Sequence, residues 1–264
     1  MMKIAQLYIY PVKSCRGISL SATELDNKGF KFDRRFMFVD EHGEMLTQRT
    51  HHRMALIDCA IADEQLHISS EGFGEIKVPL EPANGASTKA KVWSDVCKAL
   101  KVSALADDWI SDFLQTKSSL VFMPTTTKRV VDIRYNTTKA ITSFTDGFPI
   151  LIISQASLDD LNARLETPLP MTRFRPNLVV SGFEPYEEDK IQRFEINGIP
   201  FEVKKPCARC VITTIDPFTA EKGKEPLQTL AKYRMKKQRI YFGQNVIHLQ
   251  HEGKIQVGDS IITN

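Results

Sequence analysis

Short runs of hydrophobic residues, many of them alternating with polar ones, recur along most of this chain and end at Gly, Pro, Asn or Asp. Alternation with a period of two is typical of half-buried strands, and β-branched and aromatic residues favour strands further. The polar residues Glu41-His42-Gly43 separate two runs and suit a hairpin turn. The pattern predicts strands over residues 4–12, 35–40, 44–48, 54–61, 65–69, 75–80, 177–181, 201–204, 211–215, 245–250 and 254–263.

Hydrophobic residues recur at helical spacing in three segments. Ser103 can cap the first helix, and Ser154 or Ser157 the second, because a hydroxyl accepts hydrogen bonds from the free amides at a helix N-terminus. The third helix is predicted over residues 226–235. The apolar faces consist of Leu105, Trp109, Ile110, Phe113 and Leu114 in the first helix, Leu158, Leu161 and Leu165 in the second, and Leu227, Leu230 and Tyr233 in the third.

Many short strands and few helices predict a mixed α/β, β-rich fold with barrel-like architecture. Neither GxGxxG nor GxxxxGK[ST] occurs in the sequence, so the standard nucleotide-binding devices are unsupported. A natural boundary lies within residues 115–135, after the first predicted helix. We therefore expect an N-terminal β-barrel-like domain over residues 1–120 and a second β-barrel domain with a few helices over residues 121–264.

Composition narrows the class of protein. Of 264 residues, 42% are hydrophobic and 25% are charged, as in an ordinary globular protein rather than a disordered or fibrous one. A net charge of +3 is too small to indicate a dedicated binder of nucleic acids or membranes. Apolar runs such as residues 148–154 are far shorter than the roughly 20 residues of a membrane-spanning helix, and the first residues lack the features of a signal peptide. We expect a cytoplasmic protein.

Five cysteines without regular spacing do not indicate a disulfide framework. Cys207 and Cys210 form a Cys-x-x-Cys pair, which can serve zinc, a redox disulfide or one reactive thiol. His248 and His251 are poor further zinc ligands, because residues three apart on a predicted strand face opposite sides. A thioredoxin-like disulfide requires a helix after the pair, whereas a strand is predicted there.

One reactive thiol is the interpretation we favour, with zinc and disulfide chemistry as alternatives. On a strand that begins near Cys207, alternation allows only one of the two sulfurs to face a given pocket. Arg209, next to Cys210, would help to keep that thiol ionised. An inert, packed cysteine is the usual case, and it is the interpretation we prefer for Cys59 and Cys97.

Cations, a hydroxyl and an amide stand at the ends of predicted strands. Lys13-Ser14 follows the first strand, Asp33-Arg34-Arg35 precedes the second, and Arg173-Phe174-Arg175-Pro176-Asn177 opens another. Each group alone is typical of a solvated strand end. Together they suit an anionic ligand with a heterocycle, because Lys and Arg bind phosphate while Asn matches the donors and acceptors of a ring.

Several motifs together resemble one family. In chain order they are Tyr10-Pro11-Val12-Lys13-Ser14-Cys15, Asp33-Arg34-Arg35-Phe36, Phe174-Arg175-Pro176-Asn177, residues 207–217, residues 224–230, Phe242-Gly243-Gln244-Asn245 and Val257-Gly258-Asp259. This ordered set is similar to the MOSC family, named for the C-terminal domain of molybdenum cofactor sulfurases. Within the family it most resembles the branch of the mitochondrial amidoxime reducing component and its bacterial relatives, and the resemblance covers nearly the whole chain.

The resemblance implies a molybdenum enzyme whose metal, carried by molybdopterin, lies between two β-barrel-like domains. Cys210 matches the thiolate ligand to molybdenum, a soft ligand that suits this metal, and Asp146 is a candidate for delivering protons or positioning water. Ala208 and Asn245 replace a serine and a tyrosine of the vertebrate pattern, so local hydrogen bonds to the cofactor must differ. The residues expected to bind the cofactor are Lys13, Ser14, Arg35, Trp93, Arg175, Asn177, Ala208, Arg209 and Asn245.

The reaction implied by the resemblance is the two-electron reduction of N-hydroxylated compounds, namely amidoximes, hydroxylamines and N-hydroxylated bases. No cysteine run of a plant-type ferredoxin occurs up to Asn264, so electrons would come from a further domain or from a separate ferredoxin-like or flavin protein. Two alternatives stay open: a sulfur carrier that uses a Cys210 persulfide, and a non-catalytic carrier of the molybdenum cofactor. The pocket mouth, expected near Trp93 and residues 125–135 and 183–190, shows no readable substrate specificity.

Overall fold

The computed structural model describes residues 1–135 and 138–263, and most of its regular structure is β-strand. The strands are β1 (Lys3–Ile9), β2 (Ile18–Leu20), β3 (Ala22–Asp26), β4 (Gly29–Phe30), β5 (Phe36–Asp40), β6 (Asp58–Ala62), β7 (Gln65–Ser70), β8 (Gly74–Pro79), β9 (Ser87–Val92), β10 (Asp95–Lys101), β11 (Ser118–Phe122), β12 (Arg129–Val130), β13 (Ile141–Thr142), β14 (Ile150–Ser154), β15 (Leu178–Ser181), β16 (Arg193–Ile196), β17 (Ile199–Ala208), β18 (Met235–Lys236), β19 (Arg239–His248), β20 (Gly253–Gln256) and β21 (Ile261–Thr263). The helices are α1 (Ala104–Leu114), α2 (Gln155–Asn162) and α3 (Leu227–Arg234), and 3-10 turns cover His52–Leu56, Met171–Phe174, Glu187–Asp189 and Val211–Thr214. The β-rich, mixed α/β fold is confirmed.

The described strands form one large sheet and several smaller ones. The large sheet has the order β2-β1-β15-β14-β19-β17-β16-β21, with β18 also paired to β19. Within it β14 and β15 run parallel, whereas β1 and β15 run antiparallel. The smaller sheets are β5-β11-β10-β9, β6-β7-β8, β20-β3-β4 and β12-β13. Because β1 pairs with β15 and β3 with β20, the first strands of the chain are built into its C-terminal half.

Buried apolar side chains form two main clusters. One draws on residues 12–122 and includes Phe38 and Ile110. The other draws on both ends of the chain, since it joins Ile4 with Leu178 and Val246. Removing this apolar surface from water is the main force that holds the sheets together. The domain boundary near residue 120 stays a prediction, and residues 136, 137 and 264 of the expected second domain lie outside the described part of the chain.

The helices form where the apolar spacing predicts them. The Ser103 hydroxyl accepts a hydrogen bond from the amide of Ala106 (3.3 Å) and caps α1. The Ser154 hydroxyl accepts from the amide of Ser157 (3.0 Å) and caps α2 in the same way. Among the described residues, no helix has the length and apolar character needed to cross a membrane.

Three local predictions in the N-terminal half are wrong. Residues 52–56 form a 3-10 turn, so the strand expected from residue 54 begins only at β6. Residues 44–48 contribute isolated bridges rather than a strand. Leu105 is 63% exposed, because α1 turns Ala106 rather than Leu105 toward the core. The strands β9 to β11 were not predicted, since small and charged residues interrupt their apolar pattern.

The strand predicted over residues 211–215 is also wrong, and this segment matters for the site. It forms a 3-10 turn instead. The hydroxyl of Thr213 donates to the carbonyl of Cys210 (2.9 Å), and that of Thr214 donates to the carbonyl of Val211 (2.8 Å). Local bonds of this kind offer the backbone an alternative to a sheet ladder and outweigh the strand preference of the β-branched residues.

Candidate functional site

Cys210 lies between the end of β17 and the 3-10 turn that follows it. Its Sγ accepts a hydrogen bond from Nη2 of Arg49 at 3.4 Å. Arg209 donates its hydrogen bond to Sγ of Cys207 at 3.1 Å, and its predicted help in keeping the Cys210 thiol ionised stays a prediction. The alternation argument for a single inward sulfur fails, since β17 ends at Ala208 and both sulfur-bearing residues line the same small cavity.

A series of charged groups leads away from the Cys210 thiol. Nη2 of Arg49 lies 3.1 Å from Oδ2 of Asp146, and Nζ of Lys13 lies 2.6 Å from Oδ1. The buried Lys13 ammonium also donates to the carbonyl of Phe144 (2.9 Å). Desolvation acts to raise the pKa of the Asp146 carboxyl, but the two cations outweigh it and hold that pKa well below its usual range. Asp146 is therefore a permanent anion at neutral pH.

Trp93 reaches this site through Arg49. The Trp93 ring centroid lies 4.6 Å from the guanidinium carbon of Arg49, a cation–π contact. Trp93 occupies the turn between β9 and β10 and is 45% exposed, and it lines neither of the two cavities described below. The sequence pattern did not indicate Arg49, because its position just after the strand predicted over residues 44–48 does not distinguish it from a solvated strand end.

A cavity of about 130 Å³ opens beside Cys210. Most of the predicted site residues line it, even though they come from widely separated parts of the chain. The predicted residues that the fold brings together there are Lys13, Ser14, Asp146, Arg175, Asn177, Ala208, Arg209, Asn245 and Cys210.

Arg34 lines this cavity, whereas Arg35 does not. The Arg35 guanidinium is buried elsewhere, where it donates to the carbonyl of Met123 (2.7 and 3.0 Å) and to the carboxylate of Asp26 (3.2 Å). Arg34 lies in a turn with left-handed backbone just before β5, so the directions of the two side chains are set by this turn and not by strand alternation. The sequence pattern alone does not tell which of the two reaches the pocket.

Two arginines pack on the ring of Tyr10 at the base of the site. The guanidinium carbons of Arg34 and Arg175 each lie 4.2 Å from the ring centroid. Arg34 is neutralised by the buried Asp33 carboxylate at 2.6 Å. Arg175 instead donates to the carbonyl of Cys15 (2.6 Å), and within residues 1–135 and 138–263 it has no carboxylate partner. Its uncompensated charge suits an anionic ligand.

The Asn177 side chain is held in place by three hydrogen bonds to its neighbours. Its Oδ1 accepts hydrogen bonds from Arg34 (3.1 Å) and from the amide of Leu151 (3.2 Å), and its Nδ2 donates to the carbonyl of Tyr8 (3.2 Å). These bonds tie the start of β15 to β14 and β1. They hold Arg34 at the cavity.

Unusual backbone conformation marks the same cavity. Ser14, Arg34 and Arg175 have φ values of 67°, 47° and 56°, in the left-handed region that L-residues seldom adopt. Each such residue costs on the order of 1 kcal/mol or more, and residues of this kind concentrate at functional sites. The strain supports a binding role for this wall.

A larger cavity of about 900 Å³ adjoins the small one. This size falls within the usual range of small-molecule sites, roughly 300–1,000 Å³, whereas the small cavity is below it. Bulges in β17 against β19, between Val203 and Lys205 and between Pro206 and Ala208, bend the strand beside it. The residues that line both cavities are Asp146, Gly147, Phe148, Cys207, Ala208 and Asn245.

The fold and site define a β-rich protein with a thiol and a group of cations at the narrow end of a ligand-sized chamber. The MOSC N-terminal beta barrel domain matches residues 1–117, and the MOSC domain matches residues 140–262. Mitochondrial amidoxime-reducing component 1 of Mus musculus is 33% identical over 98% of this chain and 81% of its own length. The chain therefore belongs to the MOSC family, as its motifs indicated.

Other relatives of similar identity carry the same kind of name. Mitochondrial amidoxime-reducing component 1 of Homo sapiens is 32% identical over 98% of this chain and 82% of its own length. Mitochondrial amidoxime reducing component 2 of Rattus norvegicus is 33% identical over 88% of this chain and 72% of its own length. Among solved structures, the YUAD protein of Bacillus subtilis covers 99% of this chain and 94% of its own, at 13% identity and a TM-score of 0.44, a likeness too distant to bear on function.

Proposed function

We propose that this chain is a molybdenum-cofactor-dependent reductase of N-hydroxylated compounds, in which Cys210 is the protein ligand to the metal. The observation that carries the proposal is the meeting of the Cys210 thiol with Lys13, Ser14 and Arg175 at one cavity. The names of the relatives, amidoxime-reducing components, supply the substrate class. Electrons would come from a separate protein, and a cytoplasmic location stays a prediction beside the mitochondrial names of the relatives.

The residues fit a metal that arrives with its own organic ligand. Among the described residues, no group of three or more His, Cys, Asp or Glu side chains is arranged to hold a metal ion. Cys207 and Cys210 both line the narrow cavity, and the proposal assigns Cys210 alone to the metal, as the family motif implies, so the remaining donor atoms would have to come from the cofactor. Arg175 and Ser14 suit its phosphate, and the shared wall of the larger cavity offers room for a pterin.

In this proposal the protein residues bind, orient and hold charge. Cys210 binds the metal, and Arg49 orients the sulfur through its hydrogen bond. Asp146 fixes Arg49 and Lys13 through its two ion pairs, and its part in delivering protons or positioning water stays a prediction. The cofactor, when bound, supplies the two-electron redox chemistry, and the protein places the substrate against it.

The test is the molybdenum content of the purified chain, expressed in a host that makes abundant molybdenum cofactor. Near-stoichiometric metal and turnover of benzamidoxime with reduced methyl viologen are expected for the wild type. Cys210→Ser should lose turnover by more than about 100-fold, because it removes the metal ligand itself. Cys207→Ser is the matched control and should retain most of both.

The alternative of a sulfur carrier predicts the opposite result. Metal-free wild-type protein that carries sulfane sulfur on Cys210 would contradict the reductase proposal and favour a persulfide relay. Full cofactor occupancy without turnover of any N-hydroxylated substrate would favour a cofactor carrier. Elemental analysis and intact-protein mass spectrometry distinguish these outcomes.

A further inference from the structure

The larger cavity has a strongly basic wall away from the Cys210 thiol. Its charged lining includes only two carboxylates, Asp146 and Asp189, and both are already ion-paired, with Lys13 and Arg49 and with Arg234 respectively. The cations that line it are Lys204, Lys205, Arg234, Lys236, Lys237 and Arg239. The whole chain has a net charge of only +3, so this wall is a local concentration of positive charge.

Three of these cations stand on one exposed hairpin. β18 and β19 pair Met235 with Ile240 and Lys236 with Arg239. Lys237 and Gln238 form the turn, both with left-handed backbone. We call residues 235–239 the basic hairpin; all of them are exposed, and Met235 is 54% exposed.

The charge of the basic hairpin is uncompensated. Within residues 1–135 and 138–263, Lys236, Lys237 and Arg239 have no ion-pair partner, whereas Lys204 pairs with Glu202 and Arg234 with Asp189. Some surface lysines elsewhere, such as Lys91 and Lys31, have carboxylate partners, whereas others in the described part of the chain, such as Lys89 and Lys101, do not. The hairpin is distinguished by the grouping of three unpaired cations around one turn. Unpaired, exposed cations around an apolar side chain suit a partner surface that carries carboxylates.

The basic hairpin is also close to the chamber that the reaction would use. It lines the larger cavity, which shares part of its lining with the Cys210 pocket. In the proposed reaction the N–O bond breaks, an N–H bond forms and water leaves, which consumes two electrons and two protons. The electrons must enter from a protein that docks near this chamber and is itself oxidised.

We propose that the basic hairpin is the docking surface for the acidic face of the electron-donor protein. This inference rests on the proposed function. Electron-transfer complexes are small and weak, and their association is steered by complementary charge that salt screens. Lys236, Lys237 and Arg239 supply the steering charge, and Met235 supplies an apolar contact at its centre.

The experiment compares Lys236→Glu/Lys237→Glu with a matched control, Lys89→Glu/Lys101→Glu. Lys89 and Lys101 are exposed and lie on β9 and β10, outside both cavities of the site. Binding of a purified acidic plant-type ferredoxin, and separately of an acidic flavodoxin, is titrated at low and high salt. Turnover of benzamidoxime is measured with each donor and with reduced methyl viologen, which needs no docking surface.

The hairpin variant should bind its donor about tenfold or more weakly than the wild type and lose most of the salt dependence. Because the hairpin also lines the larger cavity, the test is the ratio of the two activities: turnover with the protein donor should fall by a larger factor than turnover with methyl viologen. The control should bind as the wild type does. Equal binding by the hairpin variant and the wild type would overturn the inference, as would failure of the wild type to bind either donor. A further outcome is that a single-stranded oligonucleotide or anionic vesicles displace the donor from the control protein but not from the hairpin variant. That result would show that the hairpin binds anions in general, and it would also overturn the inference.

A different result would contradict the proposed function. If no N-hydroxylated substrate turns over with methyl viologen, the reductase proposal falls, while the binding titration still decides whether acidic redox proteins dock on the hairpin.

Discussion

At the scale of single residues, one carboxylate, that of Asp146, balances two cations of the site. Lys13 is buried and Arg49 is partly buried, and both are paired with Asp146, whose own side chain is 55% exposed. Burial lowers the pKa of Lys13, and the nearby carboxylate opposes this effect. Asp146 therefore stabilises the cations of the pocket as well as orienting Arg49 at the thiol.

Asp146→Asn should lower the free energy of unfolding at pH 7 by about 1–3 kcal/mol, because it leaves the buried Lys13 ammonium without its carboxylate. The pKa of Asp146 is depressed in the folded protein, so the unfolded chain takes up the proton first as the pH falls. Its stabilisation is present at pH 7 and is lost progressively on acidification below the ordinary carboxyl range. Denaturant unfolding at pH 7, 4, 3 and 2 measures the difference between wild type and variant, which should change little down to about pH 4 and shrink below it.

Glu24→Gln is the control for this prediction. Glu24 pairs with Lys31 on the surface, where both side chains are well exposed, so its removal should change stability much less than the removal of Asp146 does. A difference between wild type and Asp146→Asn that does not shrink with acid would show that the ion pairs do not hold the pocket.

At the scale of elements, β19 lies closely against β14 at Gly243, next to the part of β19 that lines the site. Gly243 has φ of +79°, and a Cβ there would lie 2.6 Å from Cγ1 of Ile153 and 2.8 Å from the carbonyl oxygen of Ile152. Two residues further on, Asn245 lines both cavities. The glycine thus permits the approach that places Asn245 at the chamber.

Gly243→Ala should destabilise the protein by about 2–4 kcal/mol, because it adds a clash with backbone to an unfavourable φ. Gly198→Ala is the matched control: its φ is +74° but a Cβ there meets no atom within 4 Å, so it should cost only about 1 kcal/mol. Thermal unfolding of both variants measures the difference. Equal losses would mean that the close approach of β19 to β14 is not needed.

At the scale of the whole molecule, strands from the start of the chain pair with strands of its C-terminal half. β1 and β3 pair with β15 and β20, and the second hydrophobic cluster contains Ile4 and Leu7 beside residues from the C-terminal half. Dividing the chain near residue 120 would separate β1 and β3 from β15 and β20, the strands with which they pair.

We expect a fragment of residues 121–264 to lack cooperative unfolding, because without β1 and β3 it exposes the edge of β15 and part of its core. Circular dichroism during heating, with the full chain as the control, measures this. A sharp transition of the fragment would show instead that the second half is an independent domain.

The sequence by itself determined the fold class, the family and most of the pocket. Period-two and helical patterns act locally, so they predict β1, β5 and the capped helix α1 correctly. Nine of the predicted residues line the small cavity, and all of them were named from residue types and motifs rather than from contacts.

Only the tertiary structure decided which groups meet. Arg49 reaches Cys210 and Arg209 turns to Cys207, although Arg209 is the sequence neighbour of Cys210. Arg34 rather than Arg35 enters the cavity, because a left-handed turn at Arg34 precedes β5 and the sequence pattern did not predict that turn. Contacts between residues more than a hundred positions apart depend on how the sheets pack, and local patterns carry no information about that packing.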